Sequence, residues 1–166
     1  MVEIRAARRA DAPVMSEIFH AAGLAAWSGF LPEEELRAEA LRPQMFDQAI
    51  RAFETTVRVA VDGDRVTAFA VLRPSADNDA EAKVGELHMF YAHPRVWGTG
   101  VARLLMADAL ARLRAAGYRA ATLWTAEENH RPRAFYRSTG WRLDGARRSK
   151  TRHGVVFTEL RHRIEL

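Results

Sequence analysis

Gly98 and Gly100 stand two residues apart in the run Pro94-Arg95-Val96-Trp97-Gly98-Thr99-Gly100-Val101-Ala102-Arg103-Leu104-Leu105. The run reads as a strand end, a glycine-rich turn and the first turn of an amphipathic helix. With no Cβ at either glycine, the turn can bring backbone N–H groups together on an anion. The helix behind it adds unpaired N–H donors and the positive end of its dipole. The predicted chemistry is main-chain binding of a pyrophosphate by Gly98, Thr99, Gly100, Val101, Ala102 and Arg103. Two well-known phosphate loops do not fit. A P-loop requires Lys and then Ser or Thr after its second glycine, where this chain has Val101-Ala102. The dinucleotide fingerprint requires a third Gly or Ala where Arg103 stands. The competing structural reading is a turn into a helix that binds nothing.

The elements that must position this turn are legible from period and punctuation. Val2 to Arg5 alternates as a short strand. Asp11-Ala12-Pro13 is an N-cap followed by proline in the first turn, opening a helix to about Ala22 whose apolar stripe includes Val14, Met15, Ile18 and Phe19. Pro32-Glu33-Glu34-Glu35 starts a second helix with an acidic first turn, and Pro43 interrupts it before a further helical piece to about Phe53. Strands follow at about Thr56 to Val61 and Val66 to Leu72 around the hairpin signal Asp62-Gly63-Asp64. A polar loop over residues 74 to 84 leads to the strand Gly85 to Ala92. The helix after the glycine turn buries Val101, Leu104, Leu105, Ala109 and Leu113 and stops at Gly117. A strand at Ala120 to Thr125, a helix at about Arg131 to Ser138, and strands at Trp141 to Leu143 and Val155 to Ile164 complete the chain. The order β-α-α-β-β-β-α-β-α-β-β predicts an α/β (α+β) fold over residues 1–166. Its expected core is a mixed six- to seven-stranded sheet with helices on both faces.

Composition narrows the function classes. No apolar run approaches the ~18 residues of a membrane span, and Met1 to Arg5 is not a signal peptide, so neither membrane nor export is expected and the default location is cytoplasmic. Cysteine is absent, which excludes a disulfide framework, a thiolate nucleophile and a thiolate metal site. The net charge of +4 is almost entirely arginine, since Lys83 and Lys150 are the only lysines. That balance suits an acidic small ligand without any nucleic acid. The densest cluster, Arg147-Arg148-Ser149-Lys150-Thr151-Arg152, reads as a solvated hairpin loop or else a ligand site.

The loop spacing, together with Glu86-Leu87-His88-Met89-Phe90-Tyr91-Ala92-His93-Pro94 before it, resembles the coenzyme A loop of the GCN5-related N-acetyltransferases. Downstream, Leu123-Trp124-Thr125, Asn129 and Arg133-Ala134-Phe135-Tyr136-Arg137-Ser138-Thr139-Gly140-Trp141 resemble the second signature of that family. The two motifs are in register over residues 86 to 143. Trp97 departs from the Gln or Arg usual there, and either covers the cofactor or packs under the loop.

The resemblance implies acetyl-CoA as cosubstrate, with Gly98 to Arg103 around the pyrophosphate and Phe90, Tyr91 and Ala92 along the pantetheine arm. Asn129 would bond the pantetheine, or cap the helix after it, and Tyr136 would lie near the sulfur and protonate it. A backbone N–H at Phe90 to Tyr91 would steady the carbonyl oxygen as it gains charge. An alkylamine with pKa ~10 is almost fully protonated at pH 7, so a base is needed. Glu86 is the first candidate, and His88, Glu127 and Glu128 compete with it. Relatives that acetylate protein N-termini carry glutamate five residues before the asparagine, where this chain has Trp124. The implied acceptor is the primary amine of a small molecule, approached past Trp27, Phe30 and Glu33 to Glu35. A protein acceptor and a non-catalytic acyl-CoA-binding domain are the alternatives. No metal is required, and a homodimer is admitted.

Overall fold

In the computed structural model, which describes residues 1–166, the elements are β1 (Val2–Ala6), α1 (Ala12–Trp27), α2 (Glu33–Ala38), α3 (Pro43–Arg51), β2 (Thr56–Asp62), β3 (Arg65–Pro74) and β4 (Val84–Ala92). They continue with α4 (Val101–Ala115), β5 (Ala120–Ala126), α5 (His130–Ser138), β6 (Arg142–Arg152) and β7 (Val155–Glu165). The strands form one seven-stranded sheet in the order β1-β2-β3-β4-β5-β7-β6. Every neighbouring pair is antiparallel except β4 and β5. No helix is long and apolar enough to cross a membrane.

Side-chain alternation along β3 feeds two cores. Ala68, Ala70 and Leu72 face α4, where Leu105, Met106, Ala109 and Leu113 pack with Leu87, Leu123, Tyr136 and Trp141. Phe69 and Val71 face α1 and α3, among Met15, Ile18, Phe46, Val57 and Val59. Fully burying each large side chain stabilises the fold by roughly 1.5–3 kcal/mol, which is why both faces of the sheet carry helices.

Two local expectations change. α1 runs on to Trp27 rather than stopping near Ala22, because Ala21, Ala22, Ala25 and Ala26 are strong helix formers that carry the helix through Gly23. Asp11 stands at the N-cap of α1 but makes no cap bond to it. Its carboxylate instead accepts from the backbone N–H of Arg8 (2.7 Å) and from both terminal nitrogens of Arg5 (2.7 and 3.0 Å), tying β1 to the start of α1. Burial pushes the Asp11 carboxyl up, but the Arg5 guanidinium and the Arg8 amide outweigh it and hold it below the usual value. A lowered native pKa contributes stability above the ordinary carboxylate range, and that stability is lost as pH falls through the native value. Asp11→Asn is therefore expected to destabilise the protein by about 1–3 kcal/mol at neutral pH. The deficit should shrink in acid, a pattern that urea denaturation at the two pH values would measure.

The arginine-rich segment is the larger difference. Arg147 to Arg152 lie within β6, and the turn to β7 is only His153-Gly154, both with positive φ (50° and 75°). The segment's three arginines are paired, Arg147 with Glu127, Arg148 with Glu159 and Arg152 with Glu39, while Arg147 and Lys150 stay exposed. Those partners are far away in sequence, so charge density alone could not reveal them.

β4 carries the feature that opens the site. Its register with β3 jumps from Val71↔Met89 to Leu72↔Leu87, leaving His88 as the extra residue of a bulge. β4 pairs with β5 only at Val84, Gly85 and Glu86, whereas β5 stays paired with β7 as far as Ala126. From Leu87 onward the two parallel strands separate.

Candidate active site

A cavity of about 690 Å³ fills this separation. Residues of both sheet faces line it. Phe90, Leu123, Phe135 and Tyr136 come from the α4 and α5 side, and Met89, Tyr91, Trp124, Trp27 and the small residues Ala22, Ala25 and Ala26 from the α1 side.

At one end lies the mouth of α4. Gly98 and Gly100 both adopt left-handed φ (79° and 93°), and Gly100 is the N-cap of the helix. A Cβ at either glycine would meet no protein atom within 4 Å, so conformation rather than crowding demands glycine here. The turn folds on itself through Trp97 N–H to Pro94 O and Thr99 N–H to Val96 O, and the first internal helix bonds start at Arg103. That leaves the amides of Gly98, Gly100, Val101 and Ala102 with no acceptor in the chain. The Thr99 hydroxyl is turned back to Val96 O (2.6 Å) and Val101 is buried in the core, so the turn presents main chain to the cavity. Arg103, which donates to Ser138 Oγ (3.1 Å), and Arg131 flank the mouth, and neither pairs with a carboxylate. Trp97 is held against the strand end, where its indole N–H bonds Ala92 O (2.9 Å) and Arg131 stacks over its ring at 4.7 Å, and it lines the cavity.

Phe90, Tyr91 and Ala92 all line the cavity along the unpaired edge of β4. The Phe90 ring stacks on Phe135 at 5.6 Å, and Tyr91 turns to the opposite face against Phe19 at 4.9 Å. Asn129 occupies the N-cap of α5 but makes no cap bond. Its Oδ1 is buried without a donor, in a residue that lines the cavity. Tyr136, also buried and lining the cavity, is surrounded by Phe90, Phe135, Trp141 and His162. Burial pushes its phenol far above the ordinary value, so the hydroxyl keeps its proton throughout the physiological range.

The four candidate bases separate clearly. Glu86 is buried beside the cavity but does not line it; its carboxylate accepts from Arg73 Nε (3.0 Å) and lies 3.6 Å from His88 Nδ1. Burial alone would raise its pKa, but His88 and Arg73 hold it below the usual value, so it is a poor acceptor of a proton. Glu127 is paired with Arg147 and lies outside the cavity. His88 and Glu128 do line it. Of this pair, the imidazole reaches the cavity and the carboxylate stands behind it. The acidic run also behaves differently from its expected part at the acceptor site. Glu33 pairs with Arg37 and Glu35 with His153, and Phe30 packs on Trp27 without reaching the cavity. Sequence reasoning missed Trp124 and Glu159 as cavity residues, although alternation on β5 and β7 places both on the α1 face.

The model of the acetyltransferase (GNAT) family matches residues 21–141. The chain belongs to the GNAT acetyltransferase family. Among solved structures, PaiA N-acetyltransferase of Thermoplasma acidophilum in complex with coenzyme A aligns at TM-score 0.78 and 16% identity, covering 100% of this chain and 99% of that one. YncA of Salmonella typhimurium with its cofactor acetyl-CoA aligns at 0.77 and 19%, covering 99% and 94%. The ribosomal-protein-S18-alanine N-acetyltransferase of Escherichia coli aligns at 0.75 and 15%, covering 99% and 94%. No match was found among curated proteins. At these identities the structural matches speak to the GNAT fold, and the chemistry of this member must come from its own residues.

Proposed function

We propose that this GNAT protein is an acetyl-CoA-dependent N-acetyltransferase that acetylates the primary amine of a small molecule by direct attack. The observation that carries the reading is the set of amides without acceptors at Gly98, Gly100, Val101 and Ala102, at the mouth of the cavity that Tyr136 and Asn129 also line. Such a set at a helix N-terminus fits a diphosphate, and Arg103 and Arg131 add charge beside it. The buried Asn129 Oδ1 fits an amide N–H of the pantetheine arm, and the edge of β4 from Leu87 to Ala92 fits an extended chain with amides of its own.

The thioester supplies an activated acetyl group with a thiolate leaving group, whose conjugate acid has pKa ~8.5. His88 takes the proton from the incoming ammonium. Glu86, kept ionised and fixed by Arg73, is a positioning residue that holds the imidazole and steadies the positive charge it acquires. The neutral amine forms its bond to the carbonyl carbon while an amide at Phe90 to Tyr91 faces the carbonyl oxygen. As the C–S bond breaks, the Tyr136 hydroxyl gives its proton to the sulfur, and the second proton of the nitrogen, lost as the amide forms, restores the phenol.

Calorimetry with acetyl-CoA and with CoA, followed by CoA release across a panel of small amines, tests the reading. Binding of both, with release dependent on an amine, is expected; no heat at millimolar ligand overturns it. Gly100→Ala should weaken CoA binding by about 5- to 30-fold, because left-handed backbone costs a non-glycine residue roughly 1–2 kcal/mol. At saturating acetyl-CoA the kcat of that variant should stay within about twofold of the parent, since nothing at the reacting atoms changes.

A further inference from the structure

Three carboxylates converge on one arginine beside the cavity, in a knot that the mechanism does not use. Arg161 of β7 donates through Nη1 and Nη2 to Asp79 (2.7 and 2.8 Å), through Nη1 to Asp77 (3.1 Å) and through Nε to Asp144 (2.6 Å). Asp77, from the segment between β3 and β4, also accepts from the indole N–H of Trp124 (3.0 and 3.2 Å to its two oxygens). The Arg148 guanidinium lies 4.2 Å over the Trp124 ring, and that of Arg161 lies 5.5 Å from its centre. Arg148 donates in turn to one oxygen of Glu159 (2.7 Å), whose other oxygen accepts from no group of the chain. Of all these residues only Trp124 and Glu159 line the cavity. A polar framework outside the site therefore fixes one indole ring and one carboxylate inside it.

The surroundings decide what these two groups recognise. Two guanidinium groups already sit on Trp124, so the ring offers the cavity apolar area and not a place for a further cation. Met89, Tyr91, Ala22 and Ala26 extend that apolar surface on the α1 side. The only arginines that line the cavity, Arg103 and Arg131, flank the mouth of α4, and no lysine lines it. We propose that Trp124 and Glu159 select the acceptor as a primary amine carried on an apolar, ring-bearing body and lacking any acid group. The inference rests on the acetyltransferase reading above. The ring of the acceptor lies against Trp124 and Tyr91. Its ammonium is drawn in by the free oxygen of Glu159 before His88 takes the proton. A carboxylate or phosphate beside the amine meets the same oxygen, with no arginine lining that side to offset the repulsion.

Matched amines test this. 2-Phenylethylamine and phenylalanine differ by one carboxylate, whereas 2-phenylethylamine and ethylamine differ by one ring. The parent protein should show a kcat/KM for 2-phenylethylamine at least about 30-fold above that for phenylalanine, and at least about 30-fold above that for ethylamine. Glu159→Gln keeps the shape and an acceptor for Arg148; it should cut the first ratio at least about fivefold and leave the second within about twofold. Trp124→Leu removes ring area and should do the reverse. A merely structural part for either residue would move both ratios together or neither. Parent ratios near one, which need no variant to measure, overturn the proposal, and so do variants that shift both ratios alike. Calorimetry of 2-phenylethylamine and phenylalanine with CoA bound reads the pocket without turnover. A protein from which no amine releases CoA overturns the acetyltransferase reading, and the two affinities then decide the pocket: tighter binding of 2-phenylethylamine supports the selection, and equal binding overturns it.

Discussion

His88→Ala is expected to lower kcat/KM for the amine by about 100- to 10,000-fold, the range over which a positioned general base contributes. Two features make the imidazole rather than any glutamate the point of largest sensitivity. It is the extra residue of the β4 bulge, so the irregularity that spoils pairing with β3 is also what turns a titratable side chain toward the cavity. And it is backed by a carboxylate that Arg73 keeps ionised. Acetyl-CoA affinity by calorimetry should be preserved. Glu86→Gln should cause a smaller loss of kcat, because it removes the support and not the acceptor. If His88→Ala retains the parent rate, the base lies elsewhere, with Glu128 the remaining carboxylate among the candidates that lines the cavity.

Tyr136→Phe is expected to lower kcat by about 10- to 1000-fold with little change in acetyl-CoA affinity. The phenol is buried among four aromatic rings, and that burial raises its pKa, so it stands protonated at every physiological pH until the thiolate charge develops beside it. Removing one oxygen from a close-packed ring leaves the packing with Phe90, Phe135 and Trp141 in place, so the variant separates proton donation from structure. The effect has a ceiling because a thiol of pKa ~8.5 leaves reasonably well unaided. Substrates with more acidic thiols as leaving groups should therefore narrow the gap between variant and parent. An equal loss of cofactor binding, or no loss of rate, would remove Tyr136 from this part.

Main-chain geometry was the most legible part of the site. Gly98 and Gly100 announced a turn before a helix, and amides without acceptors stand there; the left-handed φ of both glycines is what the structure adds. Strand and helix order was equally readable, because β2, β3 and β5 are buried on both sides and are separated by strong turn residues. Charge pairing was not readable. Glu86 as a sequence letter is an available carboxylate, and only the register of β3 against β4 brings Arg73 beside it. Arg147 to Arg152 looked like a loop because Glu127, Glu159 and Glu39 are contributed by three different segments. Asn129 carried two compatible readings, cap and ligand contact, and only the structure shows that it makes no cap bond.

The parting of β4 from β5 has a mechanical consequence. Across its middle the sheet is sewn by three residue pairs, with β1 to β4 on one bank and β5 to β7 on the other. A molecule lying in that seam and touching both banks would brace the protein as well as react in it, so occupancy should raise the melting temperature and slow exchange most at the strands on either side. The gap that makes room for chemistry is then also where the scaffold is most loosely stitched, and its stiffness becomes a property shared with whatever it holds.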